Sequence, residues 1–282
     1  MSATTRPRLK APPGATDTHI HIYDGKRFRT APTAKFTPPD ASVADYDAVC
    51  DRLGVERCVI VQATTYGTDN RCMLEAIATM GPKRARGVAI VDLSVTDGQL
   101  EKLTNAGVCG IRFQMFPGGV VTWDMVEPLA KRVKPFGWHV ILQFDGREFQ
   151  EREAVIRRLA DTVTVVLDHT GKFIEPVPVL HPAFQTMLGL MRTGKCYAKV
   201  SGPYETSKIG APNYDDVSVL AAELVRVAPD RILWASNWPY VNPPGGIYPD
   251  DARMLDLLLD WAPDEAVRKK ILVDNPARLY GF

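Results

Sequence analysis

The chain has 282 residues, 34 Lys and Arg against 33 Asp and Glu for a net charge of +1, and 45% hydrophobic residues. This length suits one α/β barrel and buries a core without staples. The even charge speaks against a nucleic-acid or membrane-surface partner, and no run approaches the roughly 20 apolar residues of a membrane span.

Residues 1–14 read as a flexible segment, and MSATTRPRLKAPPGA lacks the apolar centre of a secretory signal. TDTHIHI (16–22) is the first strand, followed by helix-like DYDAVCDRL and the strand RCVIVQ (57–62). Next come DNRCMLEAIATM and ARGVAIV (85–91), DGQLEKLTNAG and CGIRF (109–113), then MVEPLAKRVKPFG and HVILQF (139–144). FQEREAVIRRLAD leads to TVTVVLDH (162–169), HPAFQTMLGLMRTG to CYAKVSG (196–202), and DVSVLAAELVRVAP to RILWAS (231–236).

Strands rich in Val and Ile, each separated from the next by a helix, demand parallel crossovers in a sheet covered on both faces. Eight such strands predict a single-domain (β/α)8 TIM barrel over 15–282. An open doubly wound sheet fits less well, because HIHIYDGKRF after the first strand has no Gly-rich phosphate turn. Two further helices follow the last strand. Pro249 and Asp250 start the first, Asp264 caps the second, and Asn275-Pro276 is read as its end. Cys50, Cys58, Cys72, Cys109 and Cys196 have no CxxC spacing and read as buried, reduced thiols of a cytoplasmic protein.

Barrel active sites form at the C-terminal strand ends, which turns the strand reading into a residue list. His19 and His21 are two apart and so face one way. His169 ends the sixth strand, so three of the five histidines converge on one rim, whereas His139 and His181 begin elements and read as structural. A lone buried histidine is usually a satisfied core residue; three at one rim argue for a site. Arg112 suits a carboxylate in two-point contact, and an internal ion pair explains it equally well. Gln143, Lys199 and Tyr204 join it as candidate substrate-binding residues, with Lys172 as an anion clamp or a solvated lysine. Asp145 is the candidate base. Asp168 is set aside because, on a continuing strand, it points away from His169. The loops ATTYGTDN and QMFPGGVVTWD shape the pocket, with Tyr66, Asn70 and Trp123 as candidates there.

DTHIHIYD, QFDG, LDHTGK, KVSGPYE and WASNWP, with YPDDAR downstream, resemble the lactone-processing branch of the amidohydrolase superfamily over nearly the whole chain. The resemblance implies a (β/α)8 barrel acting on a cyclic ester carbonyl. In many superfamily members the matching histidines and an Asp after the eighth strand hold divalent metal, while members of this branch can act without it. It also implies that His19, His21 and His169 are site histidines and that Arg112 meets a substrate carboxylate. Lys172 replaces an arginine of the pyrone-dicarboxylate enzymes. Asn237 replaces the Asp of SDWP or TDWP, and asparagine can donate but cannot take a proton from water.

Hydrolysis needs an activated water, whereas isomerising a hydroxylated lactone uses a nucleophile already on the substrate. The expected function is therefore metal-independent acyl transfer in a carboxylated lactone, by isomerisation or ring opening. His19, His21, His169, Asn237 and Asp145 are its expected catalytic residues. Two alternatives stay open: a mononuclear zinc hydrolase or decarboxylase on His19, His21 and His169, and a non-catalytic binder of sugar-acid lactones.

Overall fold

The structure, a computed structural model, describes residues 5–282. Eight parallel strands run in sequence order around one sheet: β1 Thr16–Ile20, β2 Arg57–Val61, β3 Ala85–Ala89, β4 Val108–Gln114, β5 His139–Gln143, β6 Val165–Leu167, β7 Cys196–Val200 and β8 Ile232–Trp234. Eight helices return the chain outside it: α1 Val43–Leu53, α2 Arg71–Met80, α3 Asp97–Asn105, α4 Trp123–Val133, α5 Phe149–Ala160, α6 Pro182–Arg192, α7 Asp215–Val227 and α8 Asp251–Trp261. The ring closes where the Thr18 hydroxyl donates to the Trp234 carbonyl (2.8 Å) and Ile20 bridges Trp238 in parallel. The expected (β/α)8 barrel is the observed fold.

Asp250 and Asp264 cap α8 and the short helix α9 (Glu265–Lys269), as their sequence positions predict. The end predicted at Asn275-Pro276 differs. After one π-helical turn the chain continues as α10, Asn275–Tyr280, with Pro276 in its first turn, where a missing N–H costs nothing. The Asn275 amide meanwhile donates to the Pro229 and Ile232 carbonyls, tying this terminus to the start of β8.

The expected flexible segment 1–14 falls partly outside the described residues, which begin at 5. From there it lies on the barrel: Leu9 is buried and its N–H donates to Asp256 (2.9 Å).

Inside the ring, Val59, Val61, Val88, Ile141, Val166, Tyr197 and Leu233 form an apolar floor closed by Tyr280. His139 stands in the same lower part with its ring edge-on to Tyr280, and Gly110 leaves room for it. A Cβ on Gly110 would lie 2.5 Å from the ring Cε1. Gly110→Ala is therefore expected to cost about 1–3 kcal/mol of stability through overpacking. A lower urea midpoint at unchanged slope would record it.

Side chains two apart on a strand share a face, so the interior turns polar above this floor. Val166 leads to Asp168, Tyr197 to Lys199 and Ser201, and Ile141 to Gln143. That alternation builds the site.

Candidate active site

A cavity of about 220 Å³ opens at the C-terminal rim, lined by His21, Tyr23, Phe36, Thr64, Arg112, Gln114, Phe116, Gln143, His169, Lys172, Glu205, Asn237 and Val241. A larger cleft of about 620 Å³ lies at the opposite rim around Lys134, Trp138 and Arg278, away from these polar groups. The rim cavity holds six of the ten expected site residues: His21, His169, Arg112, Gln143, Lys172 and Asn237.

Beneath it sits a fully buried layer of His19, Asp168 and Lys199. His19 Nδ1 is 3.2 Å from Asp168 Oδ1 and 3.1 Å from Lys199 Nζ, and its Nε2 is 3.2 Å from His21 Nε2. His21 Nδ1 is 2.8 Å from the Val61 carbonyl and must donate to it, leaving its Nε2 bare. Assigned to Nε2, the His19 proton points at His21, and the Lys199 ammonium stands between the two acceptors that then face each other, His19 Nδ1 and Asp168 Oδ1. One direction of donation runs from Lys199 through His19 to His21.

Asp168 is the hub. Its Oδ1 is 3.6 Å from Lys199 Nζ, and its Oδ2 is 3.5 Å from His169 Nε2 and 3.8 Å from Arg112 Nε. Burial pushes the carboxyl up, but His169, His19 and Lys199 outweigh it and hold Asp168 well below the usual carboxylate range. Burial, partly opposed by Asp168, pushes Lys199 down to about 8. Burial and the Arg112 charge bring His21 down to about 3, and burial against the pull of Asp168 brings His169 down to about 4. Both cavity imidazoles are neutral at pH 7.

Sequence parity assigned Asp168 to the wrong face. β6 ends at Leu167, and His169 takes φ +47°, so the chain turns and both consecutive side chains reach the barrel interior. The inward Val166 two residues earlier carries the signal for Asp168. Glu205 was also missed. It follows Tyr204 in a 3-10 turn, Pro203–Glu205, where strand parity no longer applies, and its carboxylate pairs with Lys172.

Four expected residues do not line the cavity. Asp145 lies off the wall: its carboxylate accepts the Arg147 N–H (3.1 Å) and pairs with the Arg147 guanidinium (2.6 Å), capping a turn. Lys199 and His19 lie one layer below the wall, His19 in contact with His21. The Tyr204 hydroxyl receives the Asn237 side-chain N–H (2.7 Å) and so orients that amide. Asn237 itself sits at φ +64°, a left-handed conformation that asparagine tolerates, with its backbone N–H on the His19 carbonyl. Tyr66 holds the Asp24 N–H, Asn70 ties its loop to Ile90, and Trp123 packs on Phe144, so none of the three faces the cavity.

The amidohydrolase model matches residues 16–282. The chain belongs to this family. A 2-pyrone-4,6-dicarboxylate hydrolase of Comamonas testosteroni is 39% identical, with 98% of this chain and 93% of that protein covered. A D-galactarolactone isomerase of Agrobacterium fabrum is 34% identical over 98% and 94%, and a 4-sulfomuconolactone hydrolase of Hydrogenophaga intermedia 34% over 97% and 91%. An apo crystal structure from Agrobacterium tumefaciens superimposes with a TM-score of 0.90 at 34% identity, covering 98% of each chain.

Many amidohydrolases hold metal at these strand ends, and here His19, Asp168 and His169 offer ligand atoms within 4.8 Å of one another. The set fits a divalent cation poorly. The Lys199 ammonium already sits on His19 Nδ1 and near one Asp168 oxygen, and the Arg112 guanidinium near the other. A divalent ion there would face two fixed positive charges in a dry interior. Asn237, beside them, is also a weak ligand compared with a carboxylate.

Burial of neutral imidazoles fixes the acid response of the fold. Below pH 6.5 the unfolded chain protonates its histidines, while His21 and His139 (each about 3) and His169 (about 4) stay neutral in the folded one. The unfolded state then binds more protons, so stability present above pH 6.5 is lost as pH falls toward 4. Asp17, raised by burial to about 6, and Asp251, also raised by burial, oppose this. Urea midpoints are expected to be lower at pH 4.5 than at 6.5; an equal or higher midpoint would contradict the neutral assignment.

Proposed function

We propose that this amidohydrolase catalyses acyl transfer within a carboxylated lactone without a resident metal, by ring migration in preference to hydrolysis. The observation that carries this reading is the composition of the cavity wall. It presents one buried guanidinium, the Lys172 ammonium, two neutral imidazoles and three amides, but no carboxylate free to activate water: Glu205 is held by Lys172, and Asp168 lies beneath the wall. The lactone chemistry named for its relatives supports a cyclic ester as substrate.

Arg112 Nη2 donates to Gln143 Oε1 (2.7 Å), which fixes the guanidinium plane. Its remaining N–H groups receive the substrate carboxylate as a two-point contact. A substrate hydroxyl then attacks the ring carbonyl, so binding itself supplies the nucleophile. The new C–O bond forms first, giving a tetrahedral oxyanion, and the original ring C–O bond breaks as that oxyanion collapses. The proton leaves the attacking oxygen for the His169 imidazole and returns to the departing alkoxide, so nothing is consumed. Asp168 Oδ2, 3.5 Å from His169 Nε2, offsets the imidazolium charge while it lasts, and Ser201 Oγ, 2.9 Å from Nδ1, holds the ring from its other side. The Asn237 amide and Lys172 stabilise the oxyanion, and one such donor contributes about 3 kcal/mol.

Incubation with carboxylated sugar lactones, followed by proton NMR, tests the reading. The expected product is a ring isomer, formed equally well by enzyme stripped with chelator. Absence of turnover would leave a binder. Activity that tracks stoichiometric zinc would replace the proposal with a metal-dependent hydrolase.

A further inference from the structure

The cavity wall carries one negative side chain among its cations. Glu205 lines it beside Lys172, with the side chain about a quarter exposed toward the opening. Burial pushes this carboxyl up, but Lys172 and His169 outweigh it, so Glu205 is ionised. Its Oε2 and the His169 ring converge on Gly202: a Cβ there would stand 3.2 Å from each. The carboxylate is thus placed next to the relay histidine. With Arg112 and Lys172 positive and Glu205 negative, the wall carries one net positive charge, enough for one substrate carboxylate.

A second observation agrees. Gln114 Oε1, on the same wall, is buried with no hydrogen-bond donor among the described residues. A buried acceptor without a donor is costly until something supplies one. Two acceptors in one anion pocket suit a ligand that brings hydroxyl groups as well as a carboxylate. They oppose a ligand that brings a second anion, because like charges at an interface are strongly disfavoured.

We propose that Glu205 is the specificity-determining residue of this site, selecting monocarboxylated polyhydroxy lactones over dianionic lactones. The inference rests on the lactone reading above and narrows it. In this arrangement Lys172 positions Glu205, Glu205 and Gln114 receive substrate hydroxyls, and Arg112 alone receives the carboxylate.

The test compares wild type, Glu205→Gln and Glu205→Asp on two probes, an aldaric acid monolactone and 2-pyrone-4,6-dicarboxylate. Selectivity is read as the ratio of kcat/KM and, independently, as the ratio of calorimetric affinities. Wild type is expected to favour the monolactone. Glu205→Gln is expected to lower that preference by about 10- to 100-fold, chiefly through KM, the effect of removing one like-charge contact. Glu205→Asp keeps the charge and is expected to keep the preference. Glu205→Gln that slows both probes in proportion, or a wild type that favours the dianion, would overturn the assignment. If wild type turns over neither probe, the functional reading fails while the affinity ratio still decides the role of Glu205; binding of neither probe overturns both.

Discussion

Arg112→Ala is expected to lower kcat/KM for a carboxylated lactone by roughly 10²- to 10⁴-fold, because removing one partner of a buried charge pair costs about 3–5 kcal/mol. Arg112 lines the cavity at 6% exposure, with Nη2 on Gln143 and Nε 3.8 Å from the buried Asp168, which leaves the remaining Nη protons for a ligand. Most of the loss should fall on KM, since carboxylate anchoring is common to ground and transition states. Arg112→Lys keeps the charge and loses the fork, and should recover only part of the activity. Asp168 lies near Arg112 as well, so the alanine variant also raises the cost of that buried carboxylate. A thermal midpoint measured alongside the kinetics separates the two effects. Unchanged KM in a folded Arg112→Ala protein would remove the carboxylate contact from the account.

Asn237→Asp is expected to turn ring migration into hydrolysis. The side chain at 237 lines the cavity with His21 and His169 and is oriented through the Tyr204 hydroxyl at 2.7 Å. An aspartate there accepts the Tyr204 proton through one oxygen and presents the other to water. A positioned general base contributes about 10²- to 10⁴-fold, so ring opening should rise by that order above wild type. Ring migration should fall, because a carboxylate faces the developing oxyanion where an amide donated to it. Proton NMR of the product mixture reads both changes. Asn237→Ala, by contrast, should slow migration by about 10²-fold without hydrolysis appearing, the loss of one oxyanion donor.

Burial of Lys199 also has a consequence for metal. Lys199→Met removes the ammonium that sits on His19 Nδ1 and leaves Asp168 with one fewer cation. Zinc affinity by calorimetry is expected to rise over wild type, because the His19, Asp168 and His169 donors are then less compensated. Equal zinc binding in the two proteins would show that the lysine is not what disfavours the ion.

Strand and helix alternation revealed the barrel because each repeat carries its own signal: a β-branched run, then an amphipathic stretch. The same regularity located His19, His21 and Arg112, since strand parity and the rim rule act together on residues inside regular strands. It failed where strands end. Counting parity back from His169 gives Asp168 the wrong face, because His169 at φ +47° has left the strand, and nothing in LDHTGK alone marks that turn; counting forward from Val166 gives the right one. Glu205 was invisible for the same reason, standing in a 3-10 turn beyond β7. Depth along the barrel axis was the other blind spot. Parity places Lys199 inward but does not say that it lies under His21 instead of beside the substrate. Asp145 stands off the wall because an acidic residue at a strand end is also a turn cap, and Arg147, two residues on, makes it one.

Running the reaction in water enriched with ¹⁸O tests the central claim most directly. If a substrate hydroxyl is the nucleophile at a wall of neutral imidazoles, the ring isomer accumulates with no label at its carbonyl, at the same rate in chelator-treated enzyme. Label appearing in an open-chain acid as the first product would mean that water attacks, with an imidazole in place of a carboxylate as its base, and would contradict the ring-migration account.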